Sequence, residues 1–355
     1  MEADDAARAR APDPARTGEL TETIARTLPA LEAFLRFAGP DRAADAGAWR
    51  PALERALPED GLGAEAVLAA LAEIVIPHGL RTGAPGFCGW VTTMPTTVPA
   101  TAAFVGSLAS PQRWWSTPGN FLEGQAARWL GALLGLPASF VGSFSSGGSV
   151  ANLLGLLAAR QHAGEQRGVD PAAEGVGGLA APRLYASAEV HHVMLRALGV
   201  MGLGRRGLRT VALDRKGRLD VTAIAAAIVE DLAAGRTPIA VVASAGDVNT
   251  GRIDPIDELR AVAHARGVWL HVDGAYGGFG VLDDRVRARY GDLGAVDSFA
   301  VDPHKWLAVP VGCGATFVRD GGLLERALAL EPAAYVAHAP RTGGEPGSPF
   351  DVLGD

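Results

Sequence analysis

Apolar strands alternating with helical runs, and unusual residues gathered just after those strands, predict an α/β protein built on a doubly wound sheet. The alternation begins at Asn120: "FLEGQAARWLGALLG" has helical spacing, a strand follows around Ala138 to Phe144, and a helix runs from Ser149 to about Arg160. Strand candidates continue at "RLYAS", "RTVAL", "IAVVASA", "VWLHVD", "SFAVD" and "GATFVR", separated by helical runs such as "DVTAIAAAIVEDLAAG" and "PIDELRAVAHARG". Several of these strands are apolar throughout rather than alternating, as in a sheet covered on both faces. Ligands of such sheets sit beyond the carboxyl ends of the strands.

Before this alternation the chain reads differently. Residues 1 to 16 are Ala, Asp, Arg and Pro without periodicity and are expected to be a disordered tail; residues 17 to 85 form a helical segment, with a short helix over Trp49 to Leu57. From Gly86 to Pro118 the chain is rich in Trp, Thr, Pro and Gly, with one helix near Ala100 to Leu108, and Trp90, Thr92, Thr93, Trp114 and Trp115 are candidates for a pocket wall or for packing. The large α/β domain is expected over 86 to 330, and "HAGEQRGVDPAAEGVGGLAAPR" within it as a surface connection.

Composition narrows the function. A net charge of −7 and a pI near 5.7 disfavour a nucleic-acid binder. No apolar run reaches the ~20 residues of a membrane span. Two cysteines, Cys88 and Cys313, make no disulfide framework and the first residues lack a secretory signal, so a cytoplasmic protein is expected.

Four strand ends carry chemistry. Ser145-Ser146-Gly147-Gly148-Ser149 bridges a strand and a helix; glycines allow close backbone approach, and the helix start favours an anion such as phosphate, the alternative being a glycine turn capped by Ser149. His191 and His192 open a helix, where one imidazole can stack on a flat ligand or serve as acid or base. Asp273 ends the strand "VWLHVD", a costly place for a carboxylate without a positive partner, and Gly274 and Ala275 leave room beside it. Lys305, in "DPHKWL", is one of two lysines; it stands at a strand end beside Trp306, whereas Lys216 lies in a hydrophilic turn. The alternative for Lys305 is a structural ion pair. A metal site made from His191, His192, His271, Asp273 and His304 lacks a compact ligand motif, although His271 and Asp273 share a strand face. A phosphate cradle, a stacking histidine, an aspartate for a cationic ring nitrogen and a reactive lysine are together the attachments of pyridoxal 5′-phosphate.

These motifs resemble the group II pyridoxal-phosphate decarboxylases, the family of aromatic-L-amino-acid, histidine and glutamate decarboxylases. The matching stretches are "SSGGSVANL", His191 with Arg196-Ala197 following, "AGDVNTGRIDPIDEL", "HVDGAYGG" and "DPHKWL", in family order from about Gly86 to Arg319. The resemblance implies a fold-type I transferase, like aspartate aminotransferase in architecture, working as a homodimer on an L-amino acid. It implies that Lys305 forms the Schiff base, Asp273 meets the pyridine nitrogen and His191 stacks on the ring. Ala275 lies against the opposite face, Gly147, Gly148 and Ser149 hold the phosphate, and His304 adjoins the lysine. The implied reaction is decarboxylation to the amine and CO2; oxidative deamination, transamination and a non-catalytic cofactor-binding role are the alternatives. Three departures stand out. Gly246-Asp247-Val248 replaces Gly-Thr-Thr, adding a carboxylate expected to repel an anionic ligand unless it turns away or meets an arginine. Val193 replaces a hydroxyl residue. The chain ends at 331 to 355 in a Gly/Pro-rich segment resembling the family's mobile loop, with Tyr335 near its start, and so before the family's small domain.

Overall fold

The computed structural model describes residues 17–37, 45–56, 59–109 and 117–328. The expected tail over 1–16, Trp114, Trp115, and the loop over 331–355 with Tyr335 lie outside them. The chain divides into two units, one up to Trp90 and one from Val91. The first holds helices α1 (Thr17–Phe34), α2 (Ala46–Leu53) and α3 (Gly63–Ala70), the last continuing as one wide π turn over Leu71–Val75. Helix α2 lies about three residues earlier than expected because Asp45 caps it, its side chain accepting from the Gly47 amide. Among the described residues of this unit only Ala84 is buried.

The second unit contains all seven expected strands: β1 (Val141–Ser145), β2 (Arg183–Ser187), β3 (Leu208–Val211), β4 (Pro238–Ser244), β5 (Trp269–Gly274), β6 (Ser298–Val301) and β7 (Gly314–Val318). They form one sheet in the order β1-β7-β6-β5-β4-β2-β3. Strands β3, β2, β4, β5 and β6 run parallel, while β7 is antiparallel to both β6 and β1. Because β7 reverses between them, β1 points the same way as β6. The register pairs Ser145 with Gly314, Val301 with Ala315 and Ser244 with Asp273, so the ends of β1, β4, β5 and β6 and the start of β7 share one edge. That edge is where the candidate residues collect.

Helices cover both faces, as the continuous apolar strands require. On one side, α8 (Val221–Ala233) and α9 (Ile256–His264), with α5 (Thr117–Leu133), pack Ile224, Ile228, Leu259 and Leu130 against Tyr185, Val241, Val272, Phe299 and Phe317. On the other, α6 (Gly148–Glu165), α7 (Val193–Val200) and α11 (Gly321–Leu328) pack Leu156, Met194 and Leu324 against Leu184, Ala240, Val242 and Val318. Helix α4 (Thr97–Ala109) precedes this layer and carries no buried residue. Helix α6 runs five residues past its expected end at Arg160. The segment read as a surface connection is partly built in: Gln161, Ala163, Pro171 and Leu179 are buried, and Gln161 donates to Glu165 and Asp170. No helix among the described residues is long and apolar enough to cross a membrane.

Two polar clusters lie inside this apolar frame. Asp231, fully buried on α8, accepts from Tyr185 at 2.9 Å and Arg236 at 2.7 Å, and Arg209 lies 2.9 Å away. His271, fully buried on β5, uses both ring nitrogens: Nδ1 is 2.7 Å from Ser298 Oγ and Nε2 is 2.7 Å from Asn152 Oδ1. Gly155 makes room for this ring, since a Cβ there would stand 2.7 Å from it. Burial pushes the His271 pKa down from 6.5 to about 4, against a weaker upward pull from Asp273.

Two outcomes follow from these clusters. Asp231→Ala strands a buried tyrosine hydroxyl and two arginines, and costs about 3 kcal/mol in a urea-unfolding measurement. For His271 the unfolded ring takes up its proton near pH 6.5 and the folded ring only near 4, so its contribution is fully present above 6.5 and falls as the pH drops between those values. The loss amounts to about 3 kcal/mol, visible as a falling urea midpoint that flattens in His271→Gln. A midpoint independent of pH in that window, in the parent protein, contradicts the assignment.

Candidate active site

The lysine expected at a strand end lies just beyond one. Strand β6 stops at Val301, and Lys305 sits in α10 (Pro303–Trp306), a single helical turn with proline at its start, where the fixed φ suits a helix and no amide proton is missed. Its Nζ lies 2.9 Å from Asp302 Oδ2, and its side chain is 22 % exposed. The ion-pair and reactive-lysine readings thus describe the same place, because the pair sits within the cluster of candidate residues. Asp302 was not singled out in the sequence; its only signal is a carboxylate three residues before the lysine. It is buried, and its Oδ1 has no hydrogen-bond partner. Next to the lysine, His304 Nδ1 donates to the Cys313 carbonyl at 2.7 Å, which fixes the position of the neutral ring's proton, and the His304 carbonyl accepts from Thr93 Oγ1 at 3.2 Å. The Trp306 ring lies 6.1 Å from that of Tyr276.

The glycine loop faces this turn. Gly147 caps α6 with φ 135°, a conformation that side chains oppose, and the helix begins at Gly148 with Ser149 second. A Cβ on Gly148 would lie 2.6 Å from Asp302 Oδ2 and 2.9 Å from the Ala275 Cβ, so bare backbone is required there. The His304 ring stands 3.5 Å from where a Gly147 Cβ would be. The first N–H groups of a helix have no partners within it and carry the positive end of its dipole. Gly147, Gly148, Ala275, Asp302 and His304 are therefore neighbours.

Asp273 ends β5 close by. Its Oδ1 accepts from the Ala275 amide at 3.0 Å and from Asn152 Nδ2 at 3.2 Å; Asn152 also donates to the Gly148 carbonyl at 2.8 Å. Asn152, unmarked within "SSGGSVANL", thus ties the glycine loop to the aspartate. His191 precedes α7, its ring 4.2 Å from that of His192. Partial loss of water, and then the His192 ring, hold the His191 pKa below the ordinary imidazole value; the charges of Asp273 and Lys305 also act on it, upward and downward respectively. His191 therefore shares its electrostatic surroundings with both of the other predicted residues.

Two of the departures have local explanations. Asp247 turns its carboxylate into its own loop, accepting from the amides of Asn249 at 2.9 Å, Thr250 at 2.8 Å and Arg252 at 3.1 Å. Burial raises its pKa, but these bonds and that from the Thr250 hydroxyl outweigh it and leave a net lowering. Val193 is buried in the apolar layer on the α6 side of the sheet. Of the residues offered as a pocket wall, Trp90 is exposed, and Thr92 has a buried hydroxyl without a partner. Among the described residues no three of His, Cys, Asp or Glu gather as metal ligands.

Residues 52–343 match the model of the pyridoxal-dependent decarboxylase conserved domain. The chain is 35% identical over 268 residues to the L-2,4-diaminobutyrate decarboxylase of Rhizobium meliloti (strain 1021), covering 74% of this chain and 52% of that protein. It is 31% identical over 291 residues to the aromatic-L-amino-acid decarboxylase of Bacillus atrophaeus, covering 81% and 58%. The chain thus spans about half the length of these curated relatives. Among solved structures, the glutamate decarboxylase domain of the diaminobutyrate-pyruvate transaminase and L-2,4-diaminobutyrate decarboxylase from Vibrio parahaemolyticus superposes with a TM-score of 0.77 at 26% identity, covering 90% of this chain and 71% of that one. With its mixed seven-stranded α/β sheet and this match over most of its length, the chain belongs to the pyridoxal-dependent decarboxylase family.

Proposed function

We propose that this protein binds pyridoxal 5′-phosphate and decarboxylates an L-amino acid to the amine and CO2. The observation that carries the reading is the convergence of Lys305, Asp273, His191 and the Gly147-Gly148-Ser149 loop at one edge of the sheet. The fit is supported by the bare backbone that Gly148 must present at the start of α6. Gly147, Gly148 and Ser149 would hold the phosphate at the start of α6, with His304 beside them. Asp273 would pair with the ring nitrogen, His191 and Ala275 would flank the ring, and Lys305 would supply the amine for covalent attachment.

Bound there, the cofactor supplies a cationic ring that accepts the electron pair released when a bond to the substrate Cα breaks. The chain's own part is orientation and charge. The carboxylate of Asp273 favours a protonated partner at its free face. Asp302, 2.9 Å from Nζ, holds the lysine amine in the site. The homodimer belongs to the same reading: Phe104, Val105 and Leu108 on α4 and Phe121, Leu122 and Trp129 on α5 are exposed apolar residues, a surface suited to a partner subunit. So does a cytoplasmic location, which two free cysteines support.

The experiment is a titration of the purified protein with pyridoxal 5′-phosphate, followed by borohydride trapping and assay of CO2 and amine. The substrate panel includes L-2,4-diaminobutyrate and aromatic L-amino acids. The expected result is a visible-edge absorption band, an adduct on Lys305 and equal yields of CO2 and amine; Lys305→Ala loses the adduct and the turnover. No adduct on Lys305 in the parent protein rules the reading out, and CO2 without amine redirects it to aldehyde-forming deamination. Gly148→Ala drives a methyl group into Asp302 and Ala275. At about 1–3 kcal/mol of overpacking, it weakens cofactor affinity roughly tenfold or more, as measured by equilibrium dialysis.

A further inference from the structure

Behind Asp273 lies a continuous line of buried side chains that the reaction itself does not require. Trp269 Nε1 donates to Ser298 Oγ at 2.8 Å. Ser298 Oγ lies 2.7 Å from His271 Nδ1, His271 Nε2 lies 2.7 Å from Asn152 Oδ1, and Asn152 Nδ2 lies 3.2 Å from Asp273 Oδ1. Trp269 is 3 % exposed, Ser298 and His271 0 %, and Asn152 1 %, so water completes none of these bonds.

The direction of donation along the line follows from its ends. An indole N–H only donates and a carboxylate only accepts. Asn152 directs its amide nitrogen at two acceptors, the Gly148 carbonyl and Asp273, so its oxygen faces His271 and the histidine must donate from Nε2. A neutral ring protonated on Nε2 has its lone pair on Nδ1, which takes the Ser298 hydroxyl proton. Ser298 Oγ in turn accepts from Trp269. Every bond points towards Asp273, and reversing any one of them leaves two donors or two acceptors face to face. At the far end, both bonds to Asp273 fall on Oδ1; among the described residues Oδ2 carries none.

We infer that His271 and Asn152 are positioning residues, which lock the rotamer of Asp273 through this one-way line and present its Oδ2 to the positively charged ring nitrogen of the cofactor. The inference rests on the cofactor reading only for what Oδ2 meets; the line itself belongs to the protein alone. Loss of an outer partner of a ligating group typically costs 10- to 100-fold in affinity in the better-studied metal sites, and a loss on the order of tenfold or more is expected here.

The test has two arms. In cofactor-free protein carrying ¹⁵N-labelled histidine, the nitrogen shifts of His271 report a single neutral ring protonated on Nε2 from about pH 8 down to about pH 5. A ring protonated on Nδ1 reverses the line and overturns the inference, whether or not the cofactor binds. In the second arm, pyridoxal 5′-phosphate affinity is measured by equilibrium dialysis in a double-mutant cycle. Asn152→Leu weakens binding about tenfold or more in the parent background and changes it less than about threefold in Asp273→Asn. His271→Gln, which keeps a donor for Asn152, stays nearer the parent than His271→Leu. Equal losses in both backgrounds mean a packing role and sink the inference. A parent protein that takes up no cofactor, yet shows the Nε2 ring, defeats the cofactor reading while supporting the line.

Discussion

Asn152 is the point on which the site depends. It is the fifth residue of α6, one turn beyond Gly148, and its amide makes three bonds in three directions: to the Gly148 carbonyl, to Asp273 on β5 and to His271 on the same strand. Through it the glycine loop, which belongs to one helix, is held against a carboxylate belonging to the centre of the sheet. A buried amide has two donors and one acceptor to satisfy, and satisfying all of them this way leaves little freedom in how α6 lies on the sheet.

Close approach is the second constraint. On helix α6 Gly155 yields its side-chain volume to the His271 ring. At the start of the helix Gly148 does the same for Asp302 and Ala275, and Gly314 at the start of β7 lies so near Gly147 that a Cβ there would stand 2.5 Å from its carbonyl carbon. These glycines pack four pieces of chain, the β1–α6 loop, the β5 turn, the β6–α10 turn and the start of β7, into one small volume. The cost is a set of positions where even a methyl group collides; the result is bare backbone at a helix start beside a lysine and two carboxylates.

Charge in that volume is balanced locally. Lys305 and Asp302 neutralise each other across 2.9 Å, Asp273 is held by two N–H donors, and Asp247 spends its charge on its own turn. His191 stays closer to its neutral form because crowding, and then the neighbouring His192, oppose protonation. A flat ring is a better stacking partner for a cationic heterocycle when it carries no charge of its own, so this environment suits the role proposed for it.

The elements were legible from the sequence because hydrophobic periodicity is a local property. All seven strands stand close to where their apolar runs placed them, and the strand ends drew attention to Gly147, Gly148, His191, Asp273 and Lys305 because carboxylates, lysines and glycine pairs are costly or conspicuous there. Where local signals misled, a contact outside the local sequence was responsible. Helix α6 continues through Glu165 because Gln161 and Ala163 find buried partners, and Asp247 looked like a charge aimed at a ligand until its loop folded back on it. Asn152 and Ser298 carried no mark of their own, and Asp302 only its place three residues before Lys305. Their importance lies in what they touch, across 119 residues from Asn152 to His271 and 27 from His271 to Ser298, and only the order of strands in the sheet brings those partners within a hydrogen bond of each other. Residue type and spacing thus determined the chemistry this chain can hold. The polarity of the network behind Asp273, and the ion pair that holds Lys305, were decided by tertiary packing, because hydrogen bonds form between neighbours in space.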